Sequence, residues 1–213
     1  SAEIIRPILR GRDIKRYSYS YADLWLISTF PSRKYDIDRY PAVKEHLLSF
    51  GIERLEQTGK KYIINGKEVK ARKKTRNAWF ETQDSISYWD DFSKQKIVYR
   101  EISDAMNACL VEPGYMLNNK CYLITGEHLV YILSYLNSKL FTKIVLPQAN
   151  ITGGKGEGFL SEIALLHPSP NIEEKVIHLY SQRQSGHIVD DEVDRVFCSL
   201  YGPTNEETQY ILD

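Results

Sequence analysis

The sequence predicts an α+β fold, a mixed β-sheet with packed helices followed by a helical C-terminal extension. Three observations predict it. Short β-branched and aromatic runs are bounded by turn residues, an Asn-Gly pair separates two of them, and apolar residues at helical spacing dominate the last third of the chain. Leu24-Trp25-Leu26-Ile27 is the first strand in this reading. Pro41 then opens a helix carrying Val43, Leu47 and Leu55 on its inner side. Lys61-Tyr62-Ile63-Ile64 and Lys67-Glu68-Val69-Lys70 flank Asn65-Gly66, the dipeptide best suited to the positive φ angles of a type I′ turn, and so form a hairpin. Lys96-Ile97-Val98-Tyr99 and Cys121-Tyr122-Leu123-Ile124 are further strands. Thr125 opens a helix with Leu129, Ile132, Leu133, Leu136 and Leu140 inward, stopped before Pro147. Asn171 with Glu174 caps a helix carrying Val176, Leu179 and Tyr180. Another runs from about Ile188 to Tyr201 and ends at Gly202, and Thr204 with Glu207 caps a last short one. The expected division is 1–170 for the mixed domain and 171–213 for the helical extension.

The 213 residues suffice for one sizeable core or two small ones, and a hydrophobic content of 42% excludes disordered and low-complexity classes. No apolar run reaches the roughly 18 residues that span a bilayer, and the first residues lack signal-peptide character, so no membrane partner and a cytoplasmic location are expected. Cys109, Cys121 and Cys198 are odd in number and widely spaced, which argues for reduced core thiols. The five histidines have no metal-ligand spacing, and no metal is expected.

Lys and Arg, 28 together, balance 28 Asp and Glu, but the balance conceals a segregation. From Glu162 onward ten acidic residues face only three basic ones, Lys175, Arg183 and Arg195. The opposite excess concentrates in one run, where Lys60, Lys61, Lys67, Lys70, Arg72, Lys73, Lys74 and Arg76 stand against Glu68 alone. Such a split suggests a part of the chain that faces a polyanion.

Catalytic motifs are missing. There is no GxxxxGK[ST] sequence, no Gly-x-Ser-x-Gly elbow and no Cys-His signature, and Gly153 to Gly158 lacks the strand-turn-helix context of a dinucleotide fingerprint. Glu68-Val69-Lys70 has no Pro-Asp partner upstream that would complete a metal-dependent nuclease site. The basic run, by contrast, offers donors suited to duplex DNA. Lysine neutralises phosphate, arginine can grip guanine bidentately, and asparagine can do the same for adenine. Arg72, Arg76 and Asn77 are the candidates for base contact, and Lys73 and Lys74 for phosphate. Lys60, Lys61, Lys67 and Lys70 extend the same surface along the hairpin. Arg10 and Arg12, with Lys15 and Arg16 nearby, form a second basic group, and Asn150, Thr152 and Lys155 a second contact arm. The run equally suits a solvated charged loop anchored by Trp79 and Phe80, and residue chemistry leaves both readings open.

The stretch from Ile8 to Tyr17, ILRGRDIKRY, followed by Trp25-Leu26-Ile27, resembles the start of the TaqI-like C-terminal specificity domain, the target recognition domain of adenine-specific DNA methyltransferases and type II restriction-modification enzymes. Similar segments follow in the same order: Arg76 to Phe80, Lys96 to Ile102, Asn119 to Ile124, Leu136 to Leu140, the Gly-rich loop ending at Phe159, Ile163 to Pro170, and the tail from Asp191 to Phe197 and from Leu200 to Glu207. The resemblance implies a sequence-specific DNA-binding part without catalytic residues or cofactor of its own, and double-stranded DNA as its partner. It further implies an N-terminal methyltransferase domain that holds S-adenosylmethionine, with this chain a fragment of the longer protein. The Asn-Pro-Pro-Tyr type motif of that domain is not in the sequence. A type I specificity half, a phage-defence methyltransferase component and, from a different class, a protein-interaction module are the alternative readings.

Overall fold

The computed structural model describes residues 2–100, 106–151, 160, 163 and 165–213, with backbone only at 149–151. The strands are β1 (Ile5–Leu9), β2 (Ile14–Lys15), β3 (Ser18–Tyr19), β4 (Trp25–Ile27), β5 (Lys61–Ile64), β6 (Lys67–Lys70), β7 (Lys96–Arg100), β8 (Ala108–Val111), β9 (Met116–Leu117) and β10 (Cys121–Ile124). The helices are α1 (Pro41–Leu48), α2 (Ile52–Leu55), α3 (Leu129–Leu136), α4 (Leu146–Ile151), α5 (Pro170–Gln184), α6 (Asp190–Tyr201) and α7 (Asn205–Leu212). The fold is α+β, as the sequence predicts. The chain divides into two compact units, one of residues 1–7 and 23–90 and the other of residues 8–22 and 91–213.

In the first unit Ile5 to Pro7 of β1 pair antiparallel with Trp25 to Ile27 of β4. Its core is Ile4, Ile37, Tyr40 and Val43, against which Ile27, Leu47, Trp79 and Phe80 pack. Trp79 and Phe80 thus anchor the end of the basic run to this core, their rings edge to face at 5.7 Å. The helix expected to run from Pro41 through Leu55 is broken into α1 and α2. Gly51 between them has φ +88°, outside the helical region, so the backbone turns there and Leu55 starts from a new direction.

In the second unit β10, β7 and β8 form an antiparallel sheet with β7 central, and Ile8 and Leu9 pair in parallel with Met116 and Leu117. One face of that sheet is covered by helices. Ile97, Tyr99 and Ala108 share a core with Leu133, Leu136, Val176, Leu179, Val193, Val196, Phe197 and Ile211. The helices after residue 170 therefore bury their apolar sides in the same core as β7 and β8. Tyr135 stacks on Tyr201 with ring centroids 5.4 Å apart, and Asp194 accepts the Lys139 N–H at 2.7 Å. Arg16 and Arg183 both pair with Asp190, which ties the β2–β3 segment to the α5–α6 pair.

Three helix boundaries differ from expectation. His128, at φ +56°, precedes α3, so the helix begins at Leu129 rather than at Thr125. Past Leu136 the chain makes a π-helical turn over Phe141–Val145 and resumes as α4. Pro147 is the second residue of α4, where its missing N–H interrupts no hydrogen bond of that helix. Ser169 occupies the N-cap of α5 with Pro170 as its first residue, so Asn171 lies two residues too late to cap it. Thr204 and Glu207 do form the expected reciprocal capping box, and Gly202, at φ +63°, ends α6. No helix among the described residues is long and apolar enough to cross a membrane.

Candidate nucleic-acid interface

The basic run folds as a two-stranded ribbon and an ordered loop, both in the first unit. Asn65 and Gly66 take φ angles of +49° and +74°, the pair of positive values that a type I′ turn requires. The register places Lys61 opposite Lys70, Tyr62 opposite Val69, Ile63 opposite Glu68 and Ile64 opposite Lys67. Directly opposed residues share a face. Tyr62, Ile64 and Val69 are half-buried on one face, where the Tyr62 hydroxyl donates to Glu56 at 2.6 Å. That carboxylate holds the phenol pKa above its usual value. Lys61, Ile63, Glu68 and Lys70 form the other face and are exposed.

Beyond β6 the chain is held from inside by three side chains. Arg72 donates from Nε to the Leu55 carbonyl at 2.7 Å, from Nη1 to the Glu81 carbonyl at 2.8 Å, and from Nη2 to the Trp79 carbonyl. Partial burial lowers its pKa. Gln57, only 5% exposed, donates to the carbonyls of Ala78 and Glu81 and accepts from the Thr75 hydroxyl at 2.7 Å. Asn77 donates to the carbonyls of Thr82 and Gln83, each at 3.0 Å. The Ala78 N–H donates to the Glu81 carboxylate at 2.7 Å. Besides the packing of Trp79 and Phe80, the loop is fixed by polar bonds to groups that would otherwise be buried unpaired.

These latches separate the predicted contact residues into two sets. Arg72 and Asn77, both expected to reach bases, point their donors at backbone carbonyls of the loop. Lys73, Lys74 and Arg76 project outward, exposed and without a side-chain hydrogen bond or ion pair to any described residue. Lys60, Lys67 and Lys70 on the ribbon are likewise exposed and unpaired among the described residues, whereas Lys61 pairs with Glu68 at 3.0 Å.

The second basic group lies in the other unit. Arg10 is committed to Asp13 through two hydrogen bonds of 3.0 and 2.8 Å, which hold the Asp13 carboxyl below its usual pKa. Arg12 is exposed and unpaired among the described residues. Gly11 lies so close to the turn before β10 that a Cβ on it would meet the Lys120 carbonyl oxygen at 2.9 Å, and its N–H donates to Asn118 at 3.2 Å. Thr152 and Lys155 lie outside the described residues, as does the side chain of Asn150.

Two contributors escape sequence reasoning. Gln57 carries no motif and reveals its role only through the loop that closes over it. Ile63 reads as an ordinary strand residue until the register places it outward. Among the described residues no group of three His, Cys, Asp or Glu side chains is placed to hold a metal ion.

The family model described as the TaqI-like C-terminal specificity domain matches residues 6–153. The chain belongs to that family. A specificity domain, by that description, selects a target, which agrees with a ribbon and loop that present cations. The match takes in all of the first unit from residue 6 onward, including every candidate of the basic run, and ends before α5. A direct sequence comparison of this chain with curated proteins finds no match.

Proposed function

We propose that the chain is the target-reading domain of a bacterial adenine-specific DNA methyltransferase or type II restriction-modification enzyme, and that it binds double-stranded DNA in the major groove through β5–β6 and the loop after it. The observation that carries this reading is the segregation of donors. Arg72, Gln57 and Asn77 fix the loop from inside, and Lys73, Lys74 and Arg76 are left outward beside a lysine-rich ribbon. An arrangement fixed before binding loses little entropy when it binds. A major groove about 12 Å wide admits a two-stranded ribbon, and its donor and acceptor pattern distinguishes all four base pairs.

In this reading Lys73, Lys74, Lys67 and Lys70 neutralise phosphates and set the register, and Arg76 reads a base edge. Arg72 and Asn77 act as positioning residues. Methyl transfer takes place in a separate N-terminal domain that binds S-adenosylmethionine, in the cytoplasm where the genomic DNA lies. None of the described side chains has a part in that step. Separating the two tasks suits the chemistry, because an adenine must leave the duplex to be methylated while its neighbours are still being read.

Selection from a pool of randomised duplexes across a salt series tests the proposal. Retention that falls steeply with salt, with an enriched motif of a few base pairs, is the expected result. Lys73→Ala should weaken binding to every sequence alike, whereas Arg76→Ala should cost about 1 to 3 kcal/mol at one base position. Absence of binding at low salt would refute the reading in favour of a protein-interaction module.

A further inference from the structure

The outward face of the ribbon contains one residue that phosphate binding does not explain. Ile63 is 72% exposed, the largest bare aliphatic surface in the first unit, and it sits among Lys61, Lys70 and Glu68. Its neighbours on the other face, Tyr62 and Ile64, are half-buried, so the ribbon does not need Ile63 to cover a core. Covering that side chain with an apolar group of a partner would therefore favour association.

We propose that Ile63 is a specificity-determining residue that recognises the C5-methyl group of thymine. The inference rests on the DNA-reading function proposed above. Of the groups that the four base pairs present in the major groove, the thymine methyl is the apolar one. Consecutive residues on one face of a strand are about 6.6 to 6.8 Å apart, close to two base steps of about 3.4 Å, so Lys61 and Ile63 on one strand match the spacing of base edges. Lys61 and Lys70 flank Ile63 from the end of the ribbon away from the turn, and the charge of Lys70, unpaired among the described residues, draws that face toward the phosphates. Glu68, directly opposite Ile63, would repel DNA as a bare carboxylate. Both of its oxygens lie near the Lys61 ammonium, at 3.0 and 3.2 Å, which offsets that repulsion and leaves the aliphatic side chain as the readable feature.

The test uses the full chain and the duplex enriched in the selection, with each thymine replaced in turn by deoxyuridine, which removes the methyl group and nothing else. One replacement should weaken binding about four-fold, the effect of burying one methyl or methylene group. Ile63→Ala should weaken binding to the thymine duplex by a similar or larger factor and remove the sensitivity to deoxyuridine at that position. Ile63→Thr, which keeps the β-branch and the strand preference, should retain binding with reduced sensitivity, and this separates reading from hairpin stability. Binding indifferent to deoxyuridine at every thymine, an enriched site with only G·C pairs, or full methyl sensitivity in Ile63→Ala would each overturn the assignment while leaving the DNA-reading function standing. Failure to bind any duplex at low salt would overturn both.

Discussion

Arg72 and Arg76 are four residues apart in the same basic run, yet one holds the loop and the other is free to act on a partner. Removing the Arg72 guanidinium leaves the carbonyls of Leu55, Trp79 and Glu81 without that donor. Hydrogen bonds to charged groups contribute about 1.5 to 3 kcal/mol each, and partial rescue by water reduces the sum. Arg72→Ala should therefore lower stability by roughly 2 to 3 kcal/mol in urea denaturation and weaken DNA binding without changing the preferred sequence. Arg72→Lys should not restore it, since a single ammonium lacks the planar fork that reaches three carbonyls. Lys96 is a second buried cation, wholly enclosed, with its ammonium donating to the carbonyls of Phe92, Lys94 and Glu112. Burial lowers its pKa from 10.5 to about 8. The unfolded chain consequently binds more protons than the folded one between those two values, so this residue makes stability rise with pH from about 8 to about 10.5 and leaves it flat below. The difference in unfolding free energy between the wild type and Lys96→Met should shift in favour of the wild type from about pH 8 to about pH 10.5, because the contributions of the buried thiols and phenols are common to both and cancel. None of these roles could be read from the sequence. An irregular loop has no period, and nothing local distinguishes an arginine that turns inward from one that does not.

Among elements, those whose signal is local were legible. Asn65-Gly66 specifies its turn by backbone sterics alone, and Thr204 with Glu207 specifies its cap across three residues. Gly66→Val should cost about 1 to 2 kcal/mol because the residue sits at φ +74°, and it should abolish sequence preference before it abolishes phosphate-driven binding. The selection assay at low and moderate salt separates the two losses. The break between α1 and α2 and the late start of α3 were not legible. Gly51 and His128 take positive φ angles, and their neighbours carry helical periodicity straight through them. β2, β3 and β9, each two residues long, are too short to leave a pattern. The ribbon was visible as an element, but which of its faces turned outward was settled only by its packing on α2.

For the molecule as a whole, sequence order and spatial organisation diverge. Charge suggested a basic front and an acidic back, and in space the first unit holds 14 basic against 11 acidic residues while the second holds 14 against 17. The apolar sides of α5, α6 and α7 complete the core over β7 and β8, although the family match ends at residue 153. A chain ending at residue 170 should therefore expose Ile97, Tyr99 and Leu133, and light scattering or dye binding should report more aggregation for that fragment than for the full chain. The division into units also sets an order of synthesis. Residues 1–7 and 23–90 can close on themselves once Asp90 has left the ribosome, because every segment of that unit has then been made. Ile8 to Ala22, made earlier, belong to the other unit: β2 and β3 can pair with each other at once, whereas Ile8 and Leu9 must wait for Met116 and Leu117. The surface proposed to read DNA is thus the first part of this chain whose segments are all present, while Ile8 and Leu9, next to its opening strand, wait for partners more than a hundred residues downstream.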